Sequence, residues 1–352
     1  MITAIIVNYK TQALLPPLLR DLLLETEISQ IVIANNSPRE KLNELQGIDS
    51  KISIFNHLRN VGFGRAVNKA VKKYPSKYYL IINPDCRTTK GFTRHLPKAL
   101  KETEAALAGP RFYWDEAKTF RMPPALGYSY YLNVWHQVTV HSQLEEALLI
   151  QQYHQNHSYF WQQSRAFQQS FLSEACLLVH YQHSFFKNSE LFDERFFMYY
   201  EDSDLCARLS AAQLFPVVAP KAEVIHFWDQ APSTKKQAFS EKSRKAYLQK
   251  HYGAKPEPFK GKAEVKITQP EAEVVQGETV RLSFETPMEN KKLRLQIAPS
   301  PTFVQFVDRD VRSKQDLILE YSLLKRVKVS TLYRRLVDEN SKALKNWQWR
   351  ND

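Results

Sequence analysis

Short, wholly apolar runs alternate with helical spacing over the first third of the chain. Ala4-Ile5-Ile6-Val7 stops at Asn8-Tyr9-Lys10, as a strand buried on both faces would. Residues 12–25 then repeat leucine at helical intervals (Leu14, Leu15, Leu18, Leu19, Leu22, Leu23). Ile31-Val32-Ile33-Ala34 stops at Asn35-Asn36-Ser37-Pro38, and Ile52-Ser53-Ile54-Phe55 leads to Asn60-Val61-Gly62-Phe63-Gly64 and a helix over about 65–73. Tyr78 to Ile82 stops at Asn83-Pro84-Asp85. Strands alternating with helices predict right-handed crossovers and an open, mainly parallel sheet, which binds ligands at the carboxyl ends of its strands. Three of these four ends carry Asn or Asp.

The pattern then changes twice. Residues 123–170 are rich in Tyr, Gln, His and Trp and read as an aromatic, partly helical insertion; its His154 and His157 are expected at the surface. Residues 171–228 return to strand and helix, and a basic helix is predicted over about 234–251. Gly253 to Phe259 is a Pro-containing linker. Beyond about 262 every apolar run alternates with polar residues: 265–268, 278–284, 292–297, 303–307, 316–321 and 331–337, with Trp347 and Trp349 on a last strand. Short alternating strands at this density predict an all-β sandwich. The expected organisation is therefore an α/β domain over 1–255, a linker at 256–263 and a β-sandwich over 264–352.

Composition narrows the class. The chain has 352 residues, 43% of them apolar and 24% charged, which excludes disorder and leaves room for two domains. No apolar run approaches the roughly 18 residues of a membrane span. The start, MITAIIVNYK, lacks the basic segment and cleavage site of a secretory signal. Three cysteines, Cys86, Cys176 and Cys206, lack metal-ligand spacing and fit a reducing cytosol. The net charge of +12 suggests an anionic partner.

Chemistry concentrates at a few places. Asp85, just past a buried strand, is placed to hold a divalent cation bridging a diphosphate, since Mg²⁺ and Mn²⁺ take hard oxygen ligands. From Asp193 to Asp204 five carboxylates (Asp193, Glu194, Glu201, Asp202, Asp204) interleave with aromatic residues. Crowding raises the affinity of such groups for protons, which suits a general base. Asp204 and Arg208, one helical turn apart, are expected to pair, leaving Glu201 or Asp202 for chemistry. His226 ends the run Ala222-Glu223-Val224-Ile225-His226 and would ligate a metal or bind phosphate. The glycine loop at 60–64 opens a helix, a natural phosphate receiver, yet it is neither GxGxxG nor a P-loop.

In this order and spacing, the strand Ile5-Ile6-Val7-Asn8-Tyr9, Asn35-Asn36-Ser37, Arg59-Asn60-Val61-Gly62-Phe63-Gly64, Asn83-Pro84-Asp85, Phe192-Asp193-Glu194, Glu201-Asp202-Ser203-Asp204-Leu205 and Pro220 to His226 resemble family 2 glycosyltransferases of the GT-A fold, particularly the bacterial rhamnosyltransferase-like branch. The likeness covers about residues 1–250. It implies inversion at an anomeric carbon, a nucleotide-diphosphate sugar of uridine or thymidine type, and Mg²⁺ or Mn²⁺. It also implies metal ligands Asp85 and His226, a base at Asp202 beside Glu201, and donor contacts from Asn8, Tyr9, Asn35, Asn36, Gly62, Arg65 and Asn83. Glu174 and Trp228 would face the acceptor, a glycan or lipid-linked glycan of bacterial surface polysaccharide. Where the family commonly has Asp-Asn this chain has Asn35-Asn36, and Glu174 stands where the family usually has Gly. The C-terminal residues resemble a fibronectin type III domain. Other readings are a scaffold that has lost turnover and a nucleotidyltransferase; a nucleic-acid partner is not expected. The expected location is cytoplasmic, with Lys235, Lys236, Lys242, Arg244, Lys245 and Lys250 drawing the protein to anionic lipid.

Overall fold

The structure, a computed structural model, describes residues 1–128, 143–187, 189–227, 236–253, 279–282, 292–299, 303, 306–320, 323–324 and 331–350. Trp228, Lys235, most of the predicted linker and the predicted strand at 265–268 lie outside them.

The N-terminal elements run β1 (Ile2–Asn8), α1 (Leu15–Leu23), β2 (Ile28–Asn35), α2 (Asn43–Gln46), β3 (Ile52–Asn56), α3 (Phe63–Lys73), β4 (Tyr78–Ile82), β5 (Cys86–Thr88), α4 (Phe92–Thr103), β6 (Leu107–Tyr113), α5 (Gln143–Gln162), β7 (Phe167–Gln168), β8 (Cys176–His180), α6 (Glu201–Ala211), β9 (Val217–His226) and α7 (Lys236–Tyr252). One sheet has the order β3-β2-β1-β4-β8-β6-β9-β5, with β7 also pairing β9. β1 is apolar throughout because both its faces are covered. Ala4 and Ile6 enter a core with Leu15, Leu18 and Leu22 of α1 and Leu96 of α4. Ile5 and Val7 enter a second core with Ala66, Val67 and Ala70 of α3 and Leu205 and Leu209 of α6. Pro16 and Pro17 open α1, where the missing N–H groups cost nothing.

The sheet is mixed, which corrects the expectation of a mainly parallel one. β3, β2, β1 and β4 are mutually parallel, but β8 runs antiparallel to both β4 and β6, and β5 and β7 run antiparallel to β9. β8 arrives after the aromatic segment rather than over a crossover helix, so no handedness rule forces it parallel.

The C-terminal residues form β10 (Thr279–Arg281), β11 (Leu293–Ala298), β12 (Val307–Val311), β13 (Ile318–Glu320), β14 (Thr331–Val337) and β15 (Ala343–Arg350). They make a four-stranded antiparallel sheet, β12-β11-β14-β15, and a two-stranded one, β10-β13. This is a separate β-rich region. Trp347 and Trp349, two apart on β15, face the same core. Two predicted strands are displaced. β12 begins only at Val307, because Phe303 and Phe306 pack with Ala298 and Tyr333 instead of pairing. Asp316 and Leu317 belong to a 3₁₀ turn that Ser313 and Asp316 close with a capping box.

The two regions share a core. Trp114 and Phe120, from the segment after β6, pack among Leu295, Leu319 and Trp349. Arg121 exchanges backbone hydrogen bonds with Asp308 at 2.8 and 3.1 Å, and its guanidinium pairs with Asp308 and Asp310 at 2.9 Å each. His154 and His157 of α5 are buried, which corrects their placement at the surface. Both rings pack against Phe306, at 4.6 and 4.9 Å between centroids, so α5 is the element on which the β-rich region rests.

Candidate active site

β4 ends into the turn Asn83-Pro84-Asp85, and β5 then pairs Cys86 with His226 at the end of β9. The register brings Asp85 and His226 together: Nε2 of His226 lies 3.4 Å from Oδ1 of Asp85, and the Phe227 N–H donates to the Asp85 carbonyl at 3.1 Å. Cys86 falls within the same cluster of ligand atoms, all within 4.8 Å of one another. Burial pushes its thiol well above the ordinary value, the Asp85 charge adds to this, and Sγ donates to the Ala175 carbonyl at 3.3 Å. A protonated thiol with its proton committed is no ligand for Mg²⁺ or Mn²⁺. Asp85 oxygen and His226 nitrogen are donors that would suit such an ion.

The carboxylates of α6 lie nearby. Tyr199 and Tyr200 both have φ of 70°, the left-handed region, and this tight turn starts the helix at Glu201 with Tyr200 as its cap. Glu201 is fully buried, and neither of its carboxyl oxygens has a hydrogen-bond partner; Oε2 of Glu174 likewise lacks one. Burial, then the neighbouring carboxylates, hold both groups well above the usual carboxyl range. Asp202 is half-buried. Burial pushes it up to about 6 against N–H groups of Ser203 and Glu174, which favour its charge. Burial thus favours the protonated form of Glu174 and Glu201, while neighbouring N–H groups help Asp202 to keep its charge.

One dipeptide joins the two halves of the site. The Glu174 N–H reaches the Asp202 carboxylate, while the carbonyl of Ala175 accepts from the Asn83 N–H at 2.9 Å and from Cys86 Sγ. The metal-ligand turn and the carboxylate that titrates near 6 are thus fixed to the same stretch of chain.

The asparagines expected at the donor form a mutual hydrogen-bond lattice. Asn8 and Asn35 are fully buried. Asn8 Nδ2 donates to Asn35 Oδ1 at 2.9 Å and to Glu40 Oε2 at 2.8 Å, and Asn8 Oδ1 accepts from the Thr11 hydroxyl. Asn35 Nδ2 donates to Asn56 Oδ1, and its Oδ1 also accepts from the Ser37 N–H. Asn36 Nδ2 donates to the Gly62 carbonyl at 3.1 Å. This lattice ties the ends of β1, β2 and β3 to the glycine loop. Tyr9 and Asn83 are half-buried beside it. Gly62 has φ of 91°, and a Cβ there would stand 2.5 Å from the Phe197 carbonyl oxygen. The Phe63 N–H donates to that same oxygen at 3.0 Å. The loop thus lets the segment before α6 pack directly on the start of α3. Arg65 is held by Glu194 at 2.7 Å.

The predicted pair of Asp204 and Arg208 forms at 2.8 Å. Asp204 is fully buried and also binds Lys250 and His251 of α7. Burial would raise it, but the bonds from His251 and Lys250 and the Arg208 charge hold it below the usual range. Glu40, Asn56, Lys250 and His251 carried no motif signal, since each acts through a contact distant in sequence. Lys250 also binds Asp193 at 2.7 Å and so faces inward, and Arg244 pairs with Glu241 at 2.9 Å, which removes two charges from the proposed lipid-facing set.

Comparison with known proteins follows the same lines. Residues 3–174 match the family model Glycosyl transferase family 2. The matched stretch is a little under half of the chain and falls on β1 to β7, within the Rossmann-like mixed sheet, so the likeness to family 2 glycosyltransferases is one of this N-terminal region. Among solved structures the chain is similar to GalNAc-T7 with UDP, GalNAc and Mn²⁺ (11% identity, TM-score 0.47, covering 64% of this chain and 43% of that one). It is similar to S. aureus TarS 1–349 (14%, TM-score 0.44, 73% and 67%) and to the mannosyltransferase PcManGT from Pyrobaculum calidifontis with GDP-Man and Mn²⁺ (9%, TM-score 0.45, 70% and 62%). The chain spans less than half the length of the first of these. No curated protein matches it. Among the described residues no helix is long and apolar enough to cross a membrane.

Proposed function

We propose that the protein is an inverting, metal-dependent glycosyltransferase that moves a sugar from a uridine- or thymidine-diphosphate donor to a glycan or lipid-linked glycan. The observation that carries this is the fixing of Asp85–His226 and Asp202 to the same dipeptide, Glu174-Ala175. Asp202 takes the proton of the acceptor hydroxyl as that oxygen bonds to the anomeric carbon; the bond from this carbon to the diphosphate oxygen breaks on the opposite face, and its electron pair leaves with the diphosphate. Asp85 and His226 hold the divalent cation, which when bound neutralises the diphosphate charge. Burial favours the neutral form of Glu201 and Glu174, which lessens competing charge beside the base, and Glu174 would face the acceptor. The buried asparagine lattice holds Tyr9 and the strand ends in register for the nucleotide.

The rhamnosyltransferase-like branch, the fibronectin type III reading of the β-rich region, the division into 1–255, 256–263 and 264–352, and a cytosolic role in bacterial surface polysaccharide synthesis rest on the motif resemblance. The test is a thermal-shift screen of uridine- and thymidine-diphosphate sugars with Mn²⁺ or Mg²⁺. A metal-dependent shift with one sugar nucleotide, lost in Asp85→Ala, is expected. No shift with any of them favours a scaffold that has lost turnover.

A further inference from the structure

A second cavity, of about 570 Å³, opens between α5 and the β-rich region, and none of its lining residues belongs to the candidate active site. Arg121, Arg294, Lys292 and Arg312 bring four positive charges to it, against Asp310 and Glu339. Arg121 and Arg294 are anchored: both bind the buried carboxylate of Asp308, at 2.9 and 3.4 Å, and Arg294 also reaches Ser341 at 3.0 Å. Lys292 and Arg312 are exposed on β11's approach and β12's exit. The inner wall is His157, 1% exposed. Neither of its ring nitrogens makes a hydrogen bond; Nε2 stands 3.6 Å from the Asp308 carboxylate. A buried imidazole without hydrogen bonds is costly unless something else completes it. Burial, opposed by the Asp308 charge and aided by Arg121 and Arg294, holds the ring neutral, at about 4, so it offers one donor and one acceptor.

We propose that this cavity binds a phosphorylated saccharide, its phosphate held by Lys292, Arg294 and Arg312 and one of its oxygens completing His157. Guanidinium forks match phosphate oxygens in pairs. A bare phosphate leaves most of the volume empty, and Ser158, Gln162 and Glu339 supply partners for sugar hydroxyls. The phosphate part of the assignment stands independently of the transfer chemistry; the choice of a saccharide carrier rests on the glycosyl-transfer reading.

The test is calorimetric titration of the full chain with glucose 1-phosphate, inorganic phosphate and glucose. The same titrations are run on Asp85→Ala and on Lys292→Glu/Arg312→Glu, with melting curves confirming that each variant folds. Glucose 1-phosphate is expected to bind wild type and Asp85→Ala alike. Each lost charge-assisted contact weakens binding about tenfold, so the double variant is expected to bind roughly a hundredfold more weakly. Glucose binding as tightly as its phosphate overturns the proposal, as does phosphate-probe binding that the double variant leaves unchanged, or no binding of either phosphate probe. Inorganic phosphate binding as tightly as glucose 1-phosphate overturns the saccharide carrier. The donor thermal shift is a separate readout, so failure here leaves the catalytic reading standing, and the reverse also holds.

Discussion

Replacing Asp202 with Asn is expected to stabilise the fold while removing transfer. In the folded chain burial pushes this carboxyl from an ordinary 3.8 up to about 6. A group raised on folding contributes stability below its unfolded value, and that contribution is lost as pH rises through the folded one. The whole displacement amounts to about 3 kcal/mol at 1.36 kcal/mol per pH unit. Asp202 keeps an edge toward solvent, so screening reduces this to about 2 kcal/mol against the fold at pH 7. Asn keeps the shape, and its carbonyl still accepts from Ser203 and Glu174, but it carries no charge. Asp202→Asn should therefore melt roughly 3–6 °C higher than wild type at pH 7 and show no gain at pH 3.5. Transfer with the cognate donor and acceptor should fall about 10²–10⁴-fold, the usual contribution of a general base. Scanning calorimetry across pH and a product assay measure the two arms. A variant that melts lower at pH 7 refutes the burial argument; one that transfers at the wild-type rate refutes the base assignment.

Two substitutions probe the frame around the site. Gly62→Ala places a Cβ 2.5 Å from the Phe197 carbonyl oxygen at φ of 91° and should cost about 3 kcal/mol or more, whereas Gly91→Ala, at φ of 82° with no atom within 4 Å, should cost only about 1 kcal/mol. Equal urea midpoints for the two would show that the close approach to Phe197 is not what requires glycine. Asp204→Asn leaves Arg208, Lys250 and His251 around a neutral group and should cost about 3–5 kcal/mol in urea melts at pH 7. Because folding depresses the Asp204 value, its contribution is present above 3.8 and lost as pH falls through the depressed value, so the gap between wild type and variant should narrow in acid. A constant gap down to pH 2 would count against the charge network.

Much of the frame was legible in residue order. β1 needed no partner information, since a run apolar on both faces is stable only with helices above and below it. The pairing of Asp204 with Arg208 followed from one helical turn of spacing. His154 and His157 were not legible: in a Gln-rich stretch nothing distinguishes a solvent face from one that a second region will cover. Lys250 misled for the same reason, because a basic helix reads as solvated until Asp193 and Asp204 are seen beneath it. The amide of Asn35, expected by motif at the donor, also bonds Asn8 and Asn56, 27 and 21 residues away, and pairings across that many residues leave no periodic trace.

Local rules act over a few residues, and they alone determined that this chain alternates strands with helices, ends its strands in Asn and Asp, and gathers carboxylates before one helix. Which of those polar groups meet was decided by tertiary packing. Burial pushes the Glu201 and Asp202 carboxyls up from their ordinary range, and burial depends on what the remainder of the chain lays over each residue. The antiparallel entry of β8 beside β4 is the clearest instance: it carries Glu174-Ala175 to the turn at Asp85, and no residue of β8 states in advance which strand it will lie against.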